Sequence, residues 1–251
     1  MKIRYSLIAS LLFSVVLLHA AGPQPRAVKG VIHLTQTDQT GEFAFKLNGE
    51  WELYWNRLLR PADFRNHTPE PDMYGVVPSY WTDYPEEIVG KGMNGFATYR
   101  LRAILPSGFR KPLAVDLPVF DSSYDIYING KYSGWNGVVG KTAEESRPEY
   151  RRVFFRLEPA SDTLDIIINV SNFSHRRGGF WLPVKIGTFN KIQSALANSW
   201  AADWSTISLL LGFSIFFFFF FLINPKEKVL GYFCLATIGL AFRPMFTSHF
   251  L

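Results

Sequence analysis

Residues 204–225 form a run of 22 positions without a formal charge, including Leu209, Leu210, Leu211, Ile215 and six consecutive phenylalanines at 216–221. A helix needs about 20 apolar residues to cross the hydrocarbon core of a bilayer, so this run meets the length of a membrane span. Trp200 and Trp204 stand before it and Asn224, Pro225, Lys226 and Lys228 after it. Indole rings suit the water–lipid boundary, and cations stay on the cytoplasmic side. The segment 204–224 therefore reads as a transmembrane helix with residue 226 inside and the preceding chain outside.

The amino terminus agrees independently. Lys2 and Arg4 precede an apolar stretch at 7–18 and the small residues Ala20 and Ala21, which is the layout of a secretory signal peptide over 1–21. A retained membrane anchor is the competing reading, and the stretch is short for it. Beyond a loop at 225–228, residues 229–242 are again uncharged before Arg243 and Pro244. Residues 229–248 read as a second transmembrane helix returning outward, with Arg243 either snorkelling to the surface or facing a bundle interior. Two membrane helices without an output domain suggest the N-terminal part of a longer chain. The expected location is a bacterial inner membrane with residues 22–203 extracytoplasmic, and membrane lipid is the first expected partner.

Charge narrows what the outer part can do. The chain carries 26 Lys+Arg and 21 Asp+Glu, and five of those bases but one acid lie in 1–21 and 204–251. The middle is nearly neutral, so it lacks the gathered cations that nucleic-acid binding requires. Cys234 is the single cysteine, which excludes an intrachain disulfide and a cysteine-based metal site.

After an N-terminal extension at 22–40, residues 41–189 read as short strands separated by turns, at 43–47, 51–55, 97–104, 113–117, 124–128, 153–157, 164–170 and 180–186. Strands at this spacing predict a mainly β fold, a jelly-roll sandwich, joined to the helical hairpin by a link at 190–203. Asn48-Gly49 and Asn129-Gly130 lie between apolar runs and read as tight hairpin turns. The stretch 56–94 carries Pro61, Pro69, Pro71, Pro78 and Pro85 and reads as a long loop with one short helix near 56–64.

Four motifs, in order, carry a resemblance: Leu47-Asn48-Gly49-Glu50-Trp51-Glu52-Leu53, Ala97-Thr98-Tyr99-Arg100-Leu101, Ser123-Tyr124-Asp125-Ile126-Tyr127-Ile128-Asn129-Gly130, and Asn169-Val170-Ser171-Asn172. Over roughly 40–188 the chain resembles the galactose-binding-like jelly-roll domain beside the catalytic barrel of family-two glycoside hydrolases. With Leu230-Gly231-Tyr232-Phe233 and Leu240-Ala241-Phe242-Arg243, it resembles still more the ectodomain and first helices of bacterial seven-transmembrane receptors with diverse intracellular signalling modules. That resemblance implies a sensory ectodomain, a small-molecule ligand with carbohydrate as one class, and five further helices and a cytoplasmic module beyond residue 251.

No motif supports catalysis or a cofactor. Gly90-Lys91-Gly92-Met93-Asn94-Gly95 fits a dinucleotide fingerprint, yet a strand rather than a helix should come after it. Glu86-Glu87 and Glu144-Glu145 are loop neighbours rather than carboxylates facing across a cleft. Histidines 33, 67, 175 and 249 have no metal-binding spacing. The ligand-binding candidates are Trp135, whose indole between glycines suits a sugar face, Arg100 on a strand, and Asn172, His175 and Arg177 in a loop with paired glycines at 178–179 that could shape a pocket lip. For each the plainer reading, a buried ring or a solvated surface group, stands beside it. Three roles remain open: a sensor that signals, a membrane-held carbohydrate-binding scaffold, and, last, a hydrolase. Homodimerisation is open as well.

Overall fold

The computed structural model describes residues 24–34, 41–66, 68–119 and 121–247. The expected signal peptide and much of the extension at 22–40 lie outside these. In chain order the elements are β1 (Val31–His33), β2 (Ala44–Lys46), β3 (Gly49–Trp55), α1 (Asp63–Asn66), β4 (Met73–Val77), a 3-10 turn (Trp81–Asp83), α2 (Glu86–Val89), β5 (Gly95–Ile104), β6 (Leu113–Leu117), β7 (Ser123–Ile128), β8 (Lys131–Asn136), β9 (Val153–Leu157), β10 (Thr163–Asn172), β11 (Lys185–Thr188), α3 (Phe189–Ile223) and α4 (Lys228–Thr247).

The strands build a jelly-roll β-sandwich. One sheet runs β4-β3-β5-β10-β7-β8, with β1 added in parallel to β5, and the other runs β2-β11-β6-β9. All other pairings are antiparallel. Alternation sets the core: Leu53, Tyr99, Ile168 and Ile126 align across the first sheet, and Phe45, Ile186, Val115 and Phe155 across the second. Successive side chains point to opposite faces, so each aligned row lies on one side of its sheet. Trp51, Tyr99 and Phe180 fill the space between, with the Phe180 ring centroid 6.2 and 5.9 Å from those of Trp51 and Tyr99.

The outer face of the larger sheet is covered too. The segment 56–66 lies on it and buries Tyr54, Phe64 and Ile167 together. Polar residues on that face satisfy one another, as buried polar groups must: Leu59 N donates to Thr98 Oγ1 at 2.8 Å, and Thr98 Oγ1 lies 2.6 Å from Asn169 Oδ1.

One of the two expected Asn-Gly hairpins holds, and several other expectations are corrected. Asn129-Gly130 does close a hairpin, with φ of +48° and +80°. Asn48-Gly49 instead turns the chain from β2 in one sheet to β3 in the other. Gly49 is needed there because a Cβ would stand 2.4 Å from Ala27 O. The strand expected at 180–186 forms only from Lys185, since Pro183 has no N–H for a ladder and Phe180 is drawn into the core. The helix expected near 56–64 is one turn at Asp63–Asn66. Strands β1, β4 and β8 were not anticipated.

The segment 190–203, expected as a link, is helical and continuous with the apolar run. Helix α3 is the one helix among the described residues long and apolar enough to cross a membrane. Its large side chains, such as Leu209, Ile215, Phe219 and Ile223, are exposed. Helix α4 returns antiparallel along it: Phe217 meets Phe233, with ring centroids 4.4 Å apart, and Ser214 Oγ bonds Cys234 O at 3.2 Å.

Candidate functional site

The five anticipated site residues fall in three places. Arg100 is on the outer face of β5 and is already engaged. Its Nε donates to Asp165 Oδ1 at 2.7 Å, its Nη1 lies 3.6 Å from Glu52 Oε2, and the Phe64 ring sits 4.4 Å from its guanidinium carbon. Burial pulls its pKa down, but the Asp165 hydrogen bond and the charges of Asp165 and Glu52 outweigh that and leave it raised. With these partners around its guanidinium, Arg100 organises the sheet face.

Asn172, His175 and Arg177 sit together at one end of the sandwich. Asn172 is 2% exposed. Its Nδ2 donates to Met93 O and His175 O at 2.8 and 2.7 Å, and its Oδ1 accepts from His175 N at 3.1 Å. It therefore shapes the loop and offers no open group. His175 Nε2 faces Asp121 Oδ2 at 3.3 Å. Arg177 lies over Tyr80, whose ring is nearly parallel to that of Trp181 at 5.9 Å. The paired glycines let backbone approach backbone. A Cβ on Gly178 would stand 2.2 Å from Met93 O, and one on Gly179 2.9 Å from Ser79 O, so they allow the loop to close onto the 3-10 turn.

Trp135 stands apart on β8, an edge strand. Its register carries the explanation. Ile126 pairs with Gly134 but Tyr127 with Tyr132, so Ser133 is an extra residue in the strand. A bulge of this kind re-aims side chains. Tyr132 and Trp135, three apart, thereby share one face instead of opposing ones. Their rings are 6.1 Å apart and inclined by 16°, and they are 56% and 44% exposed. Gly134 points inward, where a Cβ would meet Val153 Cγ1 at 2.7 Å. Its absence lets β8 close against β9, the edge of the other sheet.

Along that seam runs a cleft of about 300 Å³ lined by Ser133, Trp135, Arg151, Arg152, Phe154 and Phe155 among others. This is at the small end of the range for ligand sites. Arg151 lies over the indole at 4.2 Å and is held there by its Nη2 donating to Trp135 O at 2.8 Å. Arg152 is spent on Asp116, with two bonds of 2.7 and 2.8 Å. Phe154 reaches the other way as well. Its ring centroid is 6.1 Å from that of Phe189, the first residue of α3.

No family model and no curated protein matches the chain. Solved structures similar to it include a β-galacturonidase of Eisenbergiella tayi bound to galacturonate (12% identity, TM-score 0.41). Others are a β-glucuronidase of Ruminococcus gnavus (14%, 0.43) and β-glucuronidase 2 of Bacteroides uniformis (21%, 0.44). Each match covers 59% of this chain and, in that order, 24%, 29% and 18% of the other. The chain thus spans less than a third of those enzymes.

Sequence reasoning missed Tyr132, Arg151, Phe154 and Asp125. The bulge that gathers the aromatics has no sequence signal beyond Gly134. Asp125 is the cross-strand neighbour of both Trp135 and Asn169. Its Oδ1 is buried without a hydrogen-bond partner. Burial pushes its pKa up to about 6, against the lowering hydrogen bonds from Asn169 and the charge of Arg60.

Proposed function

We propose that this chain is the ligand-binding and membrane-entry part of a transmembrane sensor. The sandwich stands outside the cytoplasm of a bacterial cell, binds a small ring-bearing ligand, a carbohydrate in the first instance, at the Trp135 cleft, and passes binding to α3. The sandwich itself is assigned no reaction. Indole faces stack on sugar rings through their apolar C–H surface, and the uncovered apolar length of α3 suits lipid.

The observation that carries the reading is Phe154, which lines the cleft and packs on Phe189. Strand β11 ends at Thr188 and α3 begins at Phe189, so no linker intervenes to absorb a displacement. The first turns of α3 also lie on the smaller sheet: Ile192 is buried over Gly187, and Phe189 N donates to Pro112 O at 2.9 Å. A ligand shifts such a junction only through different affinity for its two arrangements.

The test is hydrogen exchange across 189–203 in the full chain held in lipid nanodiscs, with a ligand found by thermal shift over a saccharide panel. Protection should change on binding in the parent and fail to change in Phe154→Ala at equal occupancy. Binding that leaves 189–203 untouched in the parent would make the protein a membrane-held binding scaffold.

A further inference from the structure

The charge of the cleft narrows its ligand further than its rings do, provided that the cleft is the ligand site proposed above. Its lining contains two arginines and no carboxylate. Arg57, Arg100, Arg110, Arg152 and Arg156 each hold a carboxylate oxygen within 2.8 Å. Arg151 has none among the described residues. It is nevertheless fixed in place by the indole beneath it and by the Trp135 carbonyl. A guanidinium has five N–H donors in a planar fork, and here one nitrogen is used by the carbonyl. The acid nearest in register, Asp125, stands opposite Trp135 in the β7–β8 pair, is partly buried and feels the charge of Arg60.

An immobilised cation without its counter-ion, beside exposed aromatic rings, is complementary to an anion with an apolar face. Arginine suits this because its flat fork matches a carboxylate in two-point contact and stacks on aromatics at the same time. We propose that the β8–β9 cleft selects a small ring-bearing carboxylate, whose carboxylate pairs with Arg151 while its ring lies along Trp135 and Phe154. Two sources share this chemistry, uronic acids and aromatic acids.

The experiment measures binding calorimetrically to the full chain in nanodiscs, with D-glucuronate against D-glucose, 4-hydroxybenzoate against 4-hydroxybenzamide, and acetate. One ring-bearing acid should bind at least tenfold more tightly than its neutral twin and than acetate, and the preference should shrink as ionic strength rises. The pair that shows it identifies the source. Arg151→Gln should remove the preference for the acid over its neutral twin, and Arg151→Lys, which keeps the charge and loses the fork, should fall between. Neutral sugar binding as well as its acid, abolished by Trp135→Ala, overturns the charge inference and leaves the sensor reading intact. Acetate equal to the ring acids removes the role of the rings. Acid binding that is indifferent to both Arg151 variants overturns the placement, and no binding by any sugar or acid overturns both readings.

Discussion

At the scale of single residues, the group that most conflicts with its surroundings is Asp125. Its carboxyl is raised from an ordinary 3.8 to about 6 by burial, with one oxygen unpartnered. The folded protein therefore holds this proton more tightly than the unfolded chain. Stability from this site is greatest in acid, declines as pH rises from about 4 to 6, and is level above that. At ~1.4 kcal/mol per pH unit the difference amounts to roughly 3 kcal/mol at most. Asp125→Asn removes the charge but still leaves a polar atom to satisfy, so a gain on the order of 1–2 kcal/mol at pH 8 is expected. Unfolding midpoints of parent and variant, followed by tryptophan fluorescence, should diverge at pH 8 and converge near pH 4. Parallel curves across that range would show that Asp125 is not held in this way. The opposite case is Arg100, a charge that resembled a binding group in the sequence. A residue's type and strand position cannot reveal that Asp165 and Glu52 lie on the neighbouring strands, because those pairings join residues 65 and 48 positions away.

Among elements, the sandwich was legible wherever local rules act alone. Strands β6 and β9 fall at the expected residues, and the Asn129-Gly130 turn needs only two positive φ angles. Failures occurred where tertiary contact overrides the local pattern. Strand β4 lies in the proline-rich stretch and exists because β3 offers it an edge, pairing Gly49 to Leu53 with Val77 to Met73. Strand β8 was not among the expected strands, and its Gly134 is set by the closeness of Val153. The same reason hid the site: Arg151 and Phe154 come to Trp135 only because two sheet edges close on each other. The junction of β11 and α3 makes its own prediction. Ile192 packs over Gly187 and anchors the first turns of α3 on the sheet. Ile192→Ala should loosen that attachment by about 2–4 kcal/mol, the usual cost of truncating a buried aliphatic side chain. Faster amide exchange is expected at 189–200, with the strands of the sandwich and the apolar part of α3 unchanged. Unaltered exchange there would mean that the strand–helix continuity alone holds the helix.

For the whole molecule, lengths and charges decide how the parts stand to a membrane. Helix α3 has 35 residues, about 52 Å at 1.5 Å per residue, whereas a bilayer core is about 30 Å thick. Its apolar part from Trp204 onward accounts for the core, and the 15 residues before it project roughly 22 Å. If that part spans a bilayer, as proposed, the sandwich stands clear of the lipid headgroups, on a stalk that begins at its own smaller sheet. Lys226 and Lys228 come soon after the apolar stretch, and cations in short loops set orientation, so the proposed sensor reading requires the 224–227 turn in the cytoplasm and the β domain outside. Cys234 is the single cysteine and is buried between the helices, so Cys234→Ser gives a clean background for labelling. In that background, Glu87→Cys on the sandwich should react with a membrane-impermeant maleimide on intact spheroplasts. Glu227→Cys should react only once the membrane is permeabilised. The reverse pattern would place the sandwich in the cytoplasm, and the Trp135 cleft would then face metabolites inside the cell rather than solutes outside it.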